Sequence, residues 1–106
     1  MKLSNFYTYT IGNPTLTRGE WVDLTNNVPT DNSDYEWTVP EDGILICTKA
    51  VADSSGGGIL DKNNIMVAWI NSQPNSQSSW FYVLKGEKYK LRRNENSVKI
   101  RFQKFN

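Results

Sequence analysis

Few residues of this chain have the chemistry that catalysis requires. The sequence contains no histidine, so it lacks the commonest general base and the histidine-activated serine and cysteine nucleophiles. Its single cysteine, Cys47, follows the apolar residues Ile44–Ile46, which predicts a buried structural thiol rather than a nucleophile. Glu41 and Asp42 are adjacent in a turn and are expected to point into solvent. We therefore expect no enzyme, no catalytic residue and no cofactor.

One group of carboxylates has the composition of a metal site. Asp31, Asp34 and Glu36 lie close together in a polar stretch, and carboxylate oxygens are ligands that calcium prefers. Their spacing does not match the EF-hand loop, and acidic loops are common on protein surfaces. We predict a solvated loop without a metal, and calcium stays open as the alternative.

The aromatic residues are the remaining candidates for a site. The tryptophans Trp21, Trp37, Trp69 and Trp80 are numerous for a chain of 106 residues. Exposed indole rings can stack on sugars, whereas buried ones pack in a core or an interface. Trp21, Trp37 and Trp80 are the candidate ligand contacts, and packing is the alternative for each.

The elements that must position these residues are predicted to be strands. Apolar or alternating runs recur along the whole chain, separated by turn residues, and no run has helical periodicity. The predicted strands are 6–11, 20–25, 35–39, 44–51, 64–70, 80–84, 88–92 and 98–102, and Gly56–Gly58 is predicted to be a flexible loop tip. About eight strands in 106 residues indicate one antiparallel β-sandwich or barrel domain.

Three of these strands are apolar on both faces. Strands 88–92 and 98–102 alternate apolar with basic residues, but strands 44–47, 65–70 and 80–84 hardly alternate. One face of each must line the core, and the other requires cover by the chain itself or by a second subunit. We expect the subunit. The residues predicted to lie in a core or a subunit interface are Ile44, Ile46, Ile65, Val67 and Trp69.

Charge is unevenly distributed along the chain. Residues 1–61 carry nine acidic and three basic residues, whereas residues 62–106 carry nine basic and two acidic ones, for a net charge of +1. We expect neighbouring strands from the two parts to neutralise each other, with contact between copies as the alternative. Tyr89 and Phe102 alternate with the basic residues and should face the core, so no nucleic-acid partner is expected.

The ends of the chain and its hydropathy bear on localisation. The N-terminus lacks the apolar run of a signal peptide, and no stretch approaches the roughly 20 apolar residues of a membrane helix. We therefore expect synthesis and folding in a cytoplasm, without membrane insertion.

From Tyr35 onward the motifs resemble a known group of proteins. Residues 35–45 read Tyr-Glu-Trp-Thr-Val-Pro-Glu-Asp-Gly-Ile-Leu, residues 84–89 contain a Lys-Gly-Glu turn, and the last strand, 98–105, ends in aromatic residues. This order resembles the head-fibre, fibre-tip and receptor-binding domains of bacteriophages, and more generally the jelly rolls of tumour-necrosis-factor type. The resemblance covers about two-thirds of the chain.

The resemblance implies a homotrimeric jelly roll located in a virion. Because the chain shows no shaft segment, a head-fibre or capsid-decoration protein is expected, assembled in the host cytoplasm. Its partners would be itself, a capsid or fibre protein and a host cell-surface glycan. Residues 1–34 would supply early strands or the contact with the virion. The alternative function is a carbohydrate-binding β-sandwich module.

Overall fold

The computed structural model describes residues 18–50 and 53–105. Within them the chain forms eight strands and one 3-10 helix, Thr25–Asn27. The strands are β1 (Arg18–Asp23), β2 (Tyr35–Thr38), β3 (Gly43–Lys49), β4 (Gly57–Leu60), β5 (Met66–Ile70), β6 (Gln77–Val83), β7 (Lys88–Arg93) and β8 (Val98–Phe105). The expected all-β fold is confirmed.

The strands form two four-stranded antiparallel sheets. Sheet A has the order β1-β8-β3-β6, and sheet B has the order β2-β7-β4-β5. The first strand pairs with the eighth, the second with the seventh, the third with the sixth and the fourth with the fifth. One long antiparallel hairpin has thus been rolled into a two-layer sandwich, which is the jelly-roll arrangement.

The core lies between the two sheets. Leu45 and Cys47 from β3 and Ile100 from β8 face Ile59 and Leu91 from sheet B, and all five are fully buried. Aromatic rings join the layers, since Trp37 packs edge-on against Phe102 with centroids 5.2 Å apart. Tyr89 and Phe102 are buried, as their alternation with basic residues predicts.

The glycine-rich segment is not a loop tip, and that prediction is wrong. Gly57 and Gly58 begin β4, and both Gly56 and Gly58 are buried. A Cβ at Gly57 would lie 2.5 Å from the carbonyl oxygen of Arg92, and one at Gly58 would lie 2.5 Å from Sδ of Met66. The absence of side chains here lets neighbouring strands approach closely. A run of glycines is compatible with a flexible loop and with a closely packed strand, and the sequence alone does not distinguish the two.

Other predicted boundaries differ by a few residues or cannot be compared. Residues Gln77–Ser79 belong to β6 rather than to a polar loop, and β8 runs on to Phe105. The predicted first strand, 6–11, lies outside the described residues. The polar start of β6 forms backbone hydrogen bonds at a sheet edge, where no apolar side chain is required.

Two buried cations hold the loops at one end of the sandwich. The Lys49 ammonium, at the end of β3, donates to the carbonyl oxygens of Asp53, Ser55, Asn71 and Gln73 at 2.6–3.2 Å. Arg93, at the end of β7, donates from Nε to the carbonyl oxygen of Val28 at 2.8 Å.

Candidate functional site

The outer surface of sheet A carries the largest group of aromatic and aliphatic side chains that face away from the core. Along β3 the burial alternates strictly, so that Leu45 and Cys47 point inward while Ile44 and Ile46 point outward. In the register of the sheet, Ile44 lies beside Tyr82 of β6 and Ile46 lies beside Trp80. Four apolar or aromatic side chains therefore lie side by side on the central strand β3 and the edge strand β6.

The same rows continue to the other edge of the sheet. One row reads Tyr82, Ile44, Gln103 and Trp21, and the next reads Trp80, Ile46, Arg101 and Asp23. We call this surface the apolar face and define it by Trp21, Ile44, Ile46, Trp80, Tyr82 and Phe105.

Exposure of the apolar face is high for side chains of this type. Trp80 is 53% exposed and Tyr82 is 55% exposed, while Trp21 is 45% exposed. Trp80 and Tyr82 contact each other edge to face, with centroids 5.5 Å apart and ring planes at 88°. Tyr82 also approaches Phe105, with centroids 6.0 Å apart. The rings thus form a ridged surface instead of a flat one.

A buried amide lies inside the apolar face. Gln103 occupies the row between Ile44 and Trp21, yet it is only 6% exposed. Its Nε2 donates to the carbonyl oxygen of Gly19 at 2.9 Å, which ties β8 to β1. Its Oε1 is buried and accepts no hydrogen bond from any described residue. Leaving a buried acceptor without a hydrogen bond costs folding free energy. The apolar face therefore contains one polar group, the Gln103 amide.

Charged residues flank the apolar face along β8. Arg101 and Lys99 alternate with the buried Ile100 and point outward in this strand. Arg101 lies 3.9 Å from the carboxylate of Asp23 in β1. Elsewhere Arg92 contacts Asp34 at 2.7 Å. Both pairs join the basic and the acidic parts of the chain, and the pair of Arg101 with Asp23 links the neighbouring strands β8 and β1, as expected.

The five residues predicted for a core or interface do not share one surface. Ile44 and Ile46 belong to the apolar face, and both are half-buried. Val67 packs against the core, whereas Ile65 is 58% exposed in the β4–β5 loop. Trp69 is 53% exposed and lies on the outer surface of sheet B, opposite Gly58. Only the first two therefore adjoin the other aromatic candidates.

The three candidate ligand contacts are also divided. Trp21 and Trp80 both lie on the apolar face, but on the two opposite edge strands of sheet A. Trp37 is half-buried between the layers, where it packs against Phe102. Tyr82 and Phe105 also belong to the apolar face, although neither was predicted as a ligand contact. Their signal was present in the doubly apolar strand 80–84 and in the aromatic end of the last strand.

The acidic stretch has internal partners. The Asp31 carboxylate accepts hydrogen bonds from the backbone N–H and the hydroxyl of Ser33, which lower its pKa. Asp34 is engaged by Arg92, and Glu36 lies in β2. Within residues 18–50 and 53–105, no three histidine, cysteine or carboxylate side chains converge on a point where a metal could bind.

The thiol is protected from solvent. Cys47 is fully buried in the core, and burial raises the pKa of its thiol to about 12. A thiol with such a pKa stays protonated near neutral pH and is a poor nucleophile. Its position matches the prediction of a structural cysteine.

Comparison with protein-family models, with curated proteins and with solved structures found no match. In the described part of the chain, no helix has the length and apolar character needed to cross a membrane.

Proposed function

We propose that this protein is a structural protein of a bacteriophage virion and assembles as a homotrimer through the apolar face of sheet A. The observation that carries the proposal is the register that sets Ile44 beside Tyr82 and Ile46 beside Trp80 on the outside of the sandwich. The resemblance of residues 35–45 and 84–89 to phage fibre domains supports the virion and the three-fold symmetry.

Energetics favours a covered apolar face. Burying one large apolar side chain stabilises by about 1.5–3 kcal/mol relative to full exposure, and three rings of the face are each about half exposed. Monomeric proteins rarely carry large contiguous apolar patches. Tryptophan and tyrosine are also the residue types that contribute most to protein interfaces. A closed ring of identical subunits would bury this surface without leaving a free copy of it.

The proposed role in the virion is structural and involves no catalysed reaction. A trimer of jelly rolls would decorate the head or end a short fibre, attach to a capsid or fibre protein, and assist contact with the host surface. Residues 1–34, which include β1, are proposed to supply early strands or the contact with the particle.

The mass of the assembly in solution tests this proposal. We expect light scattering to give three chains for the wild type. The double substitution Trp80→Ser with Tyr82→Ser should yield single folded chains, because it removes both exposed rings of β6. Trp69→Ser is the matched control, since Trp69 is equally exposed but lies on sheet B. A wild-type chain that runs as one copy would overturn the proposal, as would a double variant that keeps the wild-type mass.

A carbohydrate-binding module is the second candidate function. It is favoured by Trp21, Trp80 and Tyr82 on a single sheet surface. The 88° angle between the rings of Trp80 and Tyr82 weakens it, because a flat polysaccharide surface requires coplanar rings. A monomer that binds a glycan array, and loses that binding in Trp80→Ser, would favour this candidate over the first.

A further inference from the structure

A groove lies at one end of the sandwich, between the β4–β5 loop and the β6–β7 turn. One cavity of about 600 Å³ lies among Lys62, Val67, Phe81, Lys85 and Lys88. A second cavity of about 420 Å³ adjoins it and extends to sheet B, where its lining includes Glu36, Trp37, Thr38 and Lys90. The two share Lys62, Lys88 and Tyr89, so they form one continuous depression, which we call the lysine groove.

The carboxylates of Asp61 in the β4–β5 loop and Glu87 in the β6–β7 turn accept hydrogen bonds from neighbouring residues of the chain. Oδ1 of Asp61 accepts the backbone N–H groups of Asn63 at 2.8 Å and Ile65 at 3.0 Å. Oε1 of Glu87 accepts the N–H of Leu84 at 2.6 Å and the hydroxyl of Tyr89 at 3.1 Å. These acidic groups brace the walls of the groove, and their negative charge is partly compensated there.

The lysine ammonium groups of the groove have fewer partners than its carboxylates. Lys90 donates to Oδ1 of Asn64 at 2.7 Å, but Lys62, Lys85 and Lys88 form no ion pair with any residue in the described part of the chain. All three are exposed. Each ammonium offers three N–H donors and no acceptor, so the groove presents donors suited to carboxylate oxygens.

The floor of the groove is apolar. Val67, Phe81 and Trp37 are only partly buried and pack against the core from this side. Phe81 and Tyr89 contact each other edge to face with centroids 5.3 Å apart, which holds both rings in place. Aromatic and aliphatic floors with a few polar groups at the rim are typical of small-molecule sites, and such floors pack well against the C–H faces of sugar rings.

We propose that the lysine groove binds an acidic oligosaccharide, with sugar rings on the apolar floor and their carboxylates on Lys62 and Lys88. Two adjoining cavities suit a chain of linked rings better than a single small anion. This site lies at one end of the sandwich and contains none of the residues that define the apolar face, so it is distinct from the assembly surface proposed above. It would give an assembled particle an adhesive surface for acidic glycans.

Titration with trigalacturonic acid tests the groove directly. We expect backbone amide signals of residues 61–64 and 85–90 to shift in two-dimensional NMR spectra, with saturable binding that weakens as salt rises. The methyl ester of the same trisaccharide keeps the rings and removes the charges, and it should bind at least about tenfold more weakly.

Substitution separates the groove from nonspecific charge. Lys62→Gln with Lys88→Gln should weaken trigalacturonate binding by at least about tenfold. Lys99→Gln with Lys104→Gln removes the same charge from β8 and should leave the affinity unchanged. Absence of shifts in the groove at millimolar trisaccharide would overturn the proposal, and so would equal binding by both double variants. Neither result depends on the number of chains in the assembly.

Discussion

The fully buried side chain of Lys49 links two loops, at residues 53–55 and 71–73, to the end of β3. Its ammonium donates to four carbonyl oxygens and lies 4.0 Å from the Asp53 carboxylate. That carboxylate accepts the hydroxyl and the N–H of Ser55, which lower its pKa. Buried charges persist in proteins only where such partners replace the lost water.

Lys49→Met should therefore destabilise the fold strongly. The methionine keeps the apolar stem but leaves buried carbonyl oxygens without a donor, and we expect the free energy of unfolding to fall by about 3 kcal/mol. Urea denaturation followed by tryptophan fluorescence measures the change. Lys104→Met, at an exposed position, is the control and should stay within about 0.5 kcal/mol. A Lys49→Met variant as stable as this control would contradict the prediction.

Cys47 makes stability depend on pH in the alkaline range. Burial raises the pKa of its thiol from 9.0 to about 12, so the folded chain retains a proton that the unfolded chain releases. The stabilisation is complete below pH 9 and is lost as the pH rises from 9 towards 12. Tyr89, whose pKa burial also raises to about 12, acts in the same direction.

Cys47→Ala should reduce this alkaline loss of stability. We expect urea midpoints of the wild type to fall between pH 9 and pH 11, and those of the variant to fall less over the same interval. Thiol reagents at pH 8 should modify the wild type only after unfolding. Equal pH slopes for both proteins, or rapid labelling of the folded chain, would contradict the assignment.

At the scale of elements, the close contact of β4 with β5 and β7 depends on glycine. Gly57 pairs with Arg93 of β7 and with Ile70 of β5, in the middle of sheet B. A methyl group there would meet the carbonyl oxygen of Arg92, which is backbone and cannot move independently of its strand. The sheet would have to separate locally to accept any side chain.

Gly57→Ala is expected to lower the free energy of unfolding by about 2–3 kcal/mol, because it overpacks a strand pair. Gly86→Ala serves as the comparison. It has open space around the position but a φ of +89°, so its cost is conformational and should be about 1 kcal/mol. Thermal and urea unfolding of both variants would rank them. The reverse ranking would show that β4 does not need the close approach.

At the scale of the whole molecule, the two outer surfaces differ in kind. Sheet A presents exposed rings in register, whereas sheet B presents the outward basic residues of β7, and the lysine groove lies at one end between the two sheets. Assembly through sheet A would leave sheet B facing outward. The proposed assembly therefore uses the outer surface of sheet A, whereas the proposed adhesion uses one end of the sandwich.

If folding is linked to assembly, the Tm must depend on protein concentration. Association stabilises only the folded chains, so we expect the Tm to rise by roughly 4 °C for each tenfold increase in concentration. The double variant Trp80→Ser with Tyr82→Ser should show one Tm at every concentration. Scanning calorimetry over a hundredfold range would reveal the difference. A constant wild-type Tm would contradict assembly through this face.

Local patterns in the sequence are sufficient to predict the fold class and most of the strands. Alternation over 88–92 and 98–102, together with turn residues such as Pro40–Gly43, predicts strands because these signals are local. The doubly apolar strands 44–47 and 80–84 were also visible, and each has outward apolar side chains in the structure. The buried position of Cys47 followed from the same pattern.

Which outward residues share a surface depends on how the strands pair in the folded chain. Strands 44–47 and 80–84 are neighbours in sheet A, while Trp69 of the third apolar strand lies on sheet B. In the rolled hairpin, the strands that pair are far apart in the sequence. Local patterns of residues therefore do not predict which strands become neighbours. The close approach of β7 to Gly57 and the burial of Lys49 likewise depend on strands and loops distant in the sequence, which local patterns do not specify.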